Sequence, residues 1–297
     1  MAGGQERILR RRIKSVQATR KITKAMELIA ASQIARAQAR ITANRPYRAG
    51  MSRIIVEAAQ GDPAAAAKLL GTPEKIETAV VLAIVGDRGL SGAYNSSVLR
   101  ATERLIVDMK SKGTQVRVIT VGKKALGYFR FRGIEVERTF QGFADKPQFS
   151  DARDIAQALA APFVSGEAEQ VLIVSTHFKS AASQVVETRQ LLPLTLPDVA
   201  PTNEVPSLKG YTEFEPEVEQ LLAELAPKAL ESEVFTALLE GAASFHTSQQ
   251  RAMAAATDNA DELGRTLTRI MNRARQDSIT TEIMEIVGGA EALRSGK

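Results

Sequence analysis

Toward the C-terminal end of this chain, apolar and small side chains recur in steps of three and four without a slip: Phe235, Leu238, Ala242, Phe245, Gln249, Ala252, Ala256, Asn259 and Leu263. That period predicts a coiled-coil seam, because a repeat of about 3.5 residues keeps one stripe of a helix turned toward its partner. A second run, Ile279, Ile283, Ile286, Ala290 and Leu293, follows after a change of phase. The N-terminal end carries its own series: Ile34, Ala37, Ile41, Asn44, Arg48, Met51, Ile55 and Ala58. Two long helices from opposite ends of the chain are therefore expected to pair antiparallel, with something globular between them. Charge agrees. Residues 1–53 hold thirteen basic and two acidic side chains, a net +11, whereas residues 217–297 hold eight basic and thirteen acidic, a net −5. The surplus positive charge is left for an acidic partner outside the chain.

The first helix is expected from Gln5 to about Ala59, kinked at Pro46 and ended by Gly61-Asp62-Pro63. A short helix over Ala64–Leu70 and a turn at Gly71-Thr72-Pro73 follow. Strands are then expected at Thr78–Val85, Val116–Val121, Ile134–Arg138, Val171–Thr176 and, as an edge, Val185–Leu194. Helices are expected between them at Ser97–Lys112, Lys123–Arg130 and Ser150–Val164. Strands alternating with helices imply a mostly parallel sheet with helices on its faces. Five prolines between Pro193 and Pro216 mark a linker, after which one helix runs from Glu217 to about Leu293, with a possible break at Pro227. The fold class is thus α/β: a long antiparallel two-helix coiled coil plus a central Rossmann-like domain. The expected divisions are 1–60, 75–195, 196–216 and 217–297. If residue 59 lies level with residue 217, residue 5 lies level with about 271, and 272–293 has no partner within the chain. That tail, about 30 Å of helix, carries Ile279, Ile283, Met284, Ile286, Val287 and Leu293. So much apolar surface is expected to be sheathed by other subunits.

Little in the chain points to chemistry. There is no Cys, hence no disulfide or thiolate site, and the two His, His177 and His246, make no zinc site of common spacing. Gly86-Asp87-Arg88-Gly89-Leu90-Ser91-Gly92 falls between a strand and a helix, where a phosphate loop would sit. Its G-x-x-G-x-x-G spacing matches neither the dinucleotide nor the Walker pattern, so a tight turn is the better reading. Gly122-Lys123-Lys124 lacks the Walker pattern's leading Gly and its hydroxyl after the Lys. Arg10-Arg11-Arg12 has no interleaved aromatics and reads as a partner-facing helix rather than a nucleic-acid grip. No apolar run approaches the ~20 residues that span a bilayer, and Met1-Ala2-Gly3-Gly4 is not a signal peptide core. A soluble intracellular protein without metal or cofactor is expected. Two rivals stay open: an α/β nucleotide-binding enzyme with helical arms, and a coiled-coil DNA adaptor.

Three segments resemble one family. Lys21-Ile22-Thr23-Lys24-Ala25-Met26-Glu27-Leu28-Ile29-Ala30-Ala31-Ser32, followed by Arg45-Pro46-Tyr47, is similar to the N-terminal helix of the γ subunit of F-type ATP synthase. The stretch Met271 to Ala290 resembles that family's C-terminal signature, and Asp87-Arg88-Gly89-Leu90-Ser91-Gly92 with Asn95 its central-domain loop. The resemblance implies a single-copy central stalk of the bacterial type, without catalytic residues. Its coiled coil would enter the head of α and β subunits, and its α/β domain would sit on the c-subunit rotor ring beside the ε subunit. It would lie peripherally on the cytoplasmic face of the plasma membrane, with no transmembrane segment, and bind no nucleic acid. The resemblance also assigns torque-bearing contact with β to Met26, Arg275, Gln276 and Thr280, with Lys21 and Lys24 as weaker contacts. Ile279, Ile283, Ile286, Val287 and Leu293 would form the tip in an apolar sleeve, and Asp87, Arg88, Gly89 and Gly92 the domain loop. Two departures stand out: Gln249-Gln250 precede Arg251 where more basic character is usual, and Ser91 stands where many relatives carry Cys.

Overall fold

The computed structural model describes residues 2–62, 73, 75–194 and 214–295, excluding the side chains of 2–4, 292, 293 and 295. The expected helix Ala64–Leu70, the turn at 71–72, most of the 196–216 linker and the Leu293 side chain lie outside the described residues. In chain order the elements are α1 (Ala2–Gly61), β1 (Thr78–Ile84), α2 (Tyr94–Ser111), β2 (Gln115–Val121), α3 (Lys123–Phe131), β3 (Arg138–Phe140), α4 (Phe149–Val164), β4 (Gln170–Phe178), β5 (Gln184–Leu192) and α5 (Val218–Ser295). Two compact units result: Met1–Ala30 with Gln250–Lys297, and Ala31–Gln249. Both long helices contribute to both units. Pro46 and Pro227 each fall inside one continuous helix.

The Ala31–Gln249 unit is built on a five-stranded sheet in the order β3-β2-β1-β4-β5. All neighbours are parallel except β5, which runs antiparallel to β4. Every residue of β1 from Ala79 to Ile84 is buried, as expected of a parallel strand covered on both faces. Val80, Leu82 and Ile84 point to one face, where Ile155 and Leu159 of α4 pack alongside Leu230, Val234 and Leu238 of α5. Ala79, Val81 and Ala83 point to the other, against Val98 and Ile106 of α2 and Phe129 of α3. The C-terminal helix is therefore one wall of the sheet domain's core. The α/β class, the mostly parallel sheet and the long terminal helices agree with the sequence reading. The third strand does not: Ile134 and Val136 pack against the core from a non-strand segment, Glu137 N–H makes a single bond to Val118 O at 2.9 Å, and the registered ladder with β2 starts at Arg138. Their alternation reflects burial without ladder hydrogen bonds.

Within this unit α1 and α5 meet through polar contacts. Asn44 Nδ2 donates to Thr236 Oγ1 at 2.9 Å, and Arg48 holds Glu233 with two bonds of 2.6 and 3.0 Å. The N-terminal series from Ile34 to Ala58 is buried or half-buried throughout. Phe235 and Leu238 face the sheet instead of α1. In the other unit the helices again run antiparallel. Thr23 and Thr257 share a buried hydroxyl–hydroxyl bond of 2.8 Å, Arg20 pairs with Asp261, and Gly264 lies against Val16. In all five contacts the two residue numbers add to 280 or 281, so one register holds in each unit. Residue 5 is level with about 275, one helical turn beyond the expected 271.

The seam of the Met1–Ala30/Gln250–Lys297 unit on α5 is Met253, Thr257, Ala260, Gly264, Leu267, Met271, Ala274 and Ser278, all buried or half-buried. It lies one residue later than the expected Ala252, Ala256, Asn259 and Leu263, of which Asn259 and Leu263 are exposed. Alanines occupy several faces here, so an apolar template fits equally well out of phase. The true stripe contains Thr257, Gly264 and Ser278, which such a template passes over.

Candidate functional site

In a sheet of this order, ligands bind where β1 and β4 diverge, in the crevice beyond their C-terminal ends. Here α5 fills that place. A Cβ added to Gly86, two residues past β1, would lie 3.0 Å from the Phe245 ring. Phe245 meets Tyr94 edge-on at 5.6 Å, and a Cβ on Gly241 would come within 3.2 Å of the Tyr94 hydroxyl and 3.4 Å of Ile84. At the end of β4, His177 Nδ1 lies 2.7 Å from Oε2 of the buried Glu240. Burial of Tyr94 beside Phe245 and Gly241 pushes the ionisation of its hydroxyl upward. The loop uses its donors internally: Gly86 N–H donates to Asn95 Oδ1 at 2.8 Å, Asn95 Nδ2 to Arg88 O at 3.0 Å, and Tyr94 N–H to Ser91 O at 3.2 Å. These bonds hold the strand-to-helix turn, and Phe245 occupies the space beside it.

Asp87 ties that turn to the rest of the unit. Its Oδ1 accepts the Lys123 N–H at 3.1 Å, and its Oδ2 accepts those of Gly142 and Ala144 at 2.9 and 3.1 Å. The 141–147 loop then reaches both long helices: Asp145 O faces His246 Nε2 at 3.2 Å, and Pro147 O accepts from Arg40. Arg88 adds a 3.7 Å contact to Asp145. Of the four expected loop residues, Asp87 has a defined anchoring role, Arg88 a mostly exposed one, and Gly89 and Gly92 form the turn. Asp87→Ala is expected to cost about 2 kcal/mol in denaturant unfolding, because three backbone donors lose a charged acceptor. Asp87→Asn should fall between, since one oxygen is kept.

His246 is buried, and its Nδ1 has no hydrogen-bond partner among the described residues. Burial lowers its pKa below the ordinary 6.5, against the opposing pull of the Asp145 carbonyl. The unfolded chain therefore takes up this proton first. Stability from this group is full above about pH 6.5 and is lost as pH falls through the lower folded value. Unfolding midpoints measured from pH 7 to pH 5 should fall more steeply for the parent chain than for His246→Gln.

In the Met1–Ala30/Gln250–Lys297 unit the expected contact residues do not converge. Met26 is half-buried beside the seam, whereas Lys21 and Lys24 are exposed, Lys24 bonding Glu27 at 3.0 Å. By the observed register Met26 is level with residue 254, and Arg275 lies 21 residues farther along α5, about 30 Å at 1.5 Å per residue. Arg275, Gln276 and Thr280 are exposed there. So the set is two groups at different levels. Gln276 borders a groove lined with Arg20, Arg265, Arg269 and Arg273. Residue 2, the start of α1, is level with 278, and every residue from 279 to 291 is exposed. Exposure reaches 48% at Ile279, 55% at Ile283, 58% at Val287 and 72% at Ile286. A further stripe escaped the sequence reading: Ile8, Ile22 and Ile29 are about 60% exposed, each one residue before a seam position, Leu9, Thr23 or Ala30. Their spacing of fourteen and seven is the signal that could have revealed them.

Among the described residues no group of three or more His, Cys, Asp or Glu could hold a metal ion. No helix among them is long and apolar enough to cross a membrane. A family model described as ATP synthase matches residues 5–293. The ATP synthase gamma chain of Frankia casuarinae is 46% identical over 300 residues, covering 99% of both chains. That of Clavibacter sepedonicus is 43% identical over 99% of this chain and all of its own. Two solved structures share the fold. One, from Euglena gracilis mitochondrial ATP synthase (OSCP, F1 and c-ring), has a TM-score of 0.67 at 17% identity, over 99% of this chain and 96% of the other. The second, from the central stalk and c-ring of the Tetrahymena thermophila enzyme, has a TM-score of 0.62 at 23% identity, over 79% and 99%.

Proposed function

This chain belongs to the gamma-chain family of ATP synthase, and on that premise we propose that it is the rotary central stalk of the bacterial enzyme. It transmits torque between the membrane rotor ring and the catalytic head of α and β subunits, coupling ion translocation to ATP synthesis or hydrolysis. One observation carries this reading. A single helix, α5, supplies core residues to the sheet domain and also bears the exposed apolar run 279–291. A helix so anchored can pass a turning force to whatever grips its far residues.

The chain itself performs no catalysis in this role. The packing of Phe245 and Glu240 into the crevice beyond β1 and β4 supports this, with the chemistry carried by its partners. Coupling requires contacts that differ among the conformations of the gripping subunits. Met26 with Lys21 and Lys24 would meet β at one level, and Arg275, Gln276 and Thr280 at another, with Ile279, Ile283, Ile286, Val287 and Leu293 sheathed as the tip. The sheet domain would rest on the rotor ring beside the ε subunit, one copy per complex, on the cytoplasmic face of the membrane.

Mixing the purified chain with α and β chains tests this. Co-elution as one copy per head, with stimulated ATP hydrolysis, is the expected result; failure to co-elute where α and β assemble with each other would overturn it. Ile283→Asp/Ile286→Asp should leave the isolated chain's unfolding nearly unchanged, since both positions are exposed. The same variant should weaken retention in the complex by at least about tenfold, because a sheathed tip would bury two charges.

A further inference from the structure

Among the described residues Glu240 is the one Asp or Glu that is buried, at 4% exposure. It lies on α5 just beyond Leu230, Val234 and Leu238, which pack against the sheet. Its Oε2 is 2.7 Å from Nδ1 of His177, the penultimate residue of β4. A hollow beside the pair is lined by Arg45 and Arg48 of α1 and by Lys179 of the β4–β5 turn. Arg48 attracts Glu240 from there, but its own hydrogen bonds go to Glu233. Among the described residues, therefore, the ion-pair partner of Glu240 is His177.

Such a pair is a poor device for stability. Withdrawing a carboxylate from water offsets most of what its pairing returns, and apolar side chains of similar volume often serve as well or better. What the pair supplies is direction. Leu230, Val234 and Leu238 bury area, and burial is indifferent to orientation. Such a face tolerates a turn of the helix about its own axis. A charged hydrogen bond does not, because it weakens steeply with angle and distance. Turning α5 on the sheet would carry Glu240 off His177 and leave a carboxylate without its partner where water is excluded. Neighbouring polar contacts grip the strands less firmly. Asn44–Thr236 and Arg48–Glu233 tie α5 to α1, His246 meets the 141–147 loop, and Arg189 of β5 reaches Glu233 at 3.4 Å. We propose that Glu240 is a positioning residue for torque: through His177 it locks α5 against rotation about its own axis on the sheet. The proposal rests on the central-stalk reading, in which a turning force on the sheet domain must reach the exposed residues of α5 without slip.

The complete enzyme, assembled in vesicles with parent or variant chains, tests this by the ions moved per ATP hydrolysed. Glu240→Leu/His177→Leu should unfold close to the parent midpoint, because apolar packing replaces the pair. It should assemble and hydrolyse ATP at the parent rate, while the ions moved per ATP fall by at least about twofold. Glu240→Gln keeps a hydrogen bond to the ring and should keep most of the parent ratio. A purely structural pair gives the opposite pattern, a changed midpoint with an unchanged ratio. His177→Leu, at a half-exposed position, carries the same readout if the double variant does not assemble. A parent-like ratio in either assembled variant overturns the proposal alone. A parent chain that does not assemble with α and β overturns the central-stalk reading and the proposal with it.

Discussion

Gly122→Ala is expected to cost about 3–5 kcal/mol, a large share of the stability of a typical domain. Gly122 joins β2 to α3 with φ +95°, a region that residues with a Cβ rarely adopt. A Cβ there would lie 2.3 Å from the Val85 carbonyl oxygen and 2.9 Å from the Gly86 carbonyl carbon. The backbone must therefore move at the end of the most buried strand. Strain at the dihedral and overpacking each contribute on the order of 1–3 kcal/mol. Gly113 and Gly133 also have positive φ, yet nothing lies within 4 Å of a Cβ at either. Alanine at those positions should cost about 1 kcal/mol. Urea unfolding of the three variants separates close backbone approach from dihedral strain. Equal losses at all three would show that β1 does not constrain Gly122.

Phe245→Ala is the second large effect, at about 3–5 kcal/mol. The ring is 3% exposed and packs between Gly86 and Tyr94, in the crevice where related sheets hold a nucleotide. Removing it leaves an apolar hole at the junction of α5 with the β1 turn. Surrounding backbone can close that hole only in part, so lost contact and residual cavity both contribute. A small apolar solute such as benzene should recover part of the loss by occupying the hole. Calorimetry of the variant with and without benzene reads both effects. A loss below about 1 kcal/mol would mean that α5 is not held at this point.

Most of the α/β layout could be read from the chain because buried parallel strands are short unbroken apolar runs, as in Thr78–Ile84, and Gly or Pro punctuates their ends. The N-terminal seam was equally readable, since Ile34 and Ile41, the large aliphatic side chains of residues 34–50, both fall on its stripe. The C-terminal seam was harder. Its alanine-rich surface supports more than one phase, and its working positions include Thr257 and Gly264, chosen for a buried hydrogen bond and a close approach. The double duty of α5 was also hidden. Periodicity shows that Leu238 and Phe245 are buried, but not that they are buried by a sheet more than 40 residues away in sequence. Asp87 belonged to a recognisable motif, yet its three backbone partners lie at Lys123, Gly142 and Ala144, and only the folded chain brings them together.

A torque-bearing shaft is tested most directly by watching it turn. The chain has no cysteine, so a single Cys introduced at Val107, 62% exposed on α2, can carry a bead while the α and β chains are fixed to a surface. Unidirectional rotation of the bead with ATP, and none without it, is the predicted result. A bead that stays still while the same complexes hydrolyse ATP would contradict the shaft role.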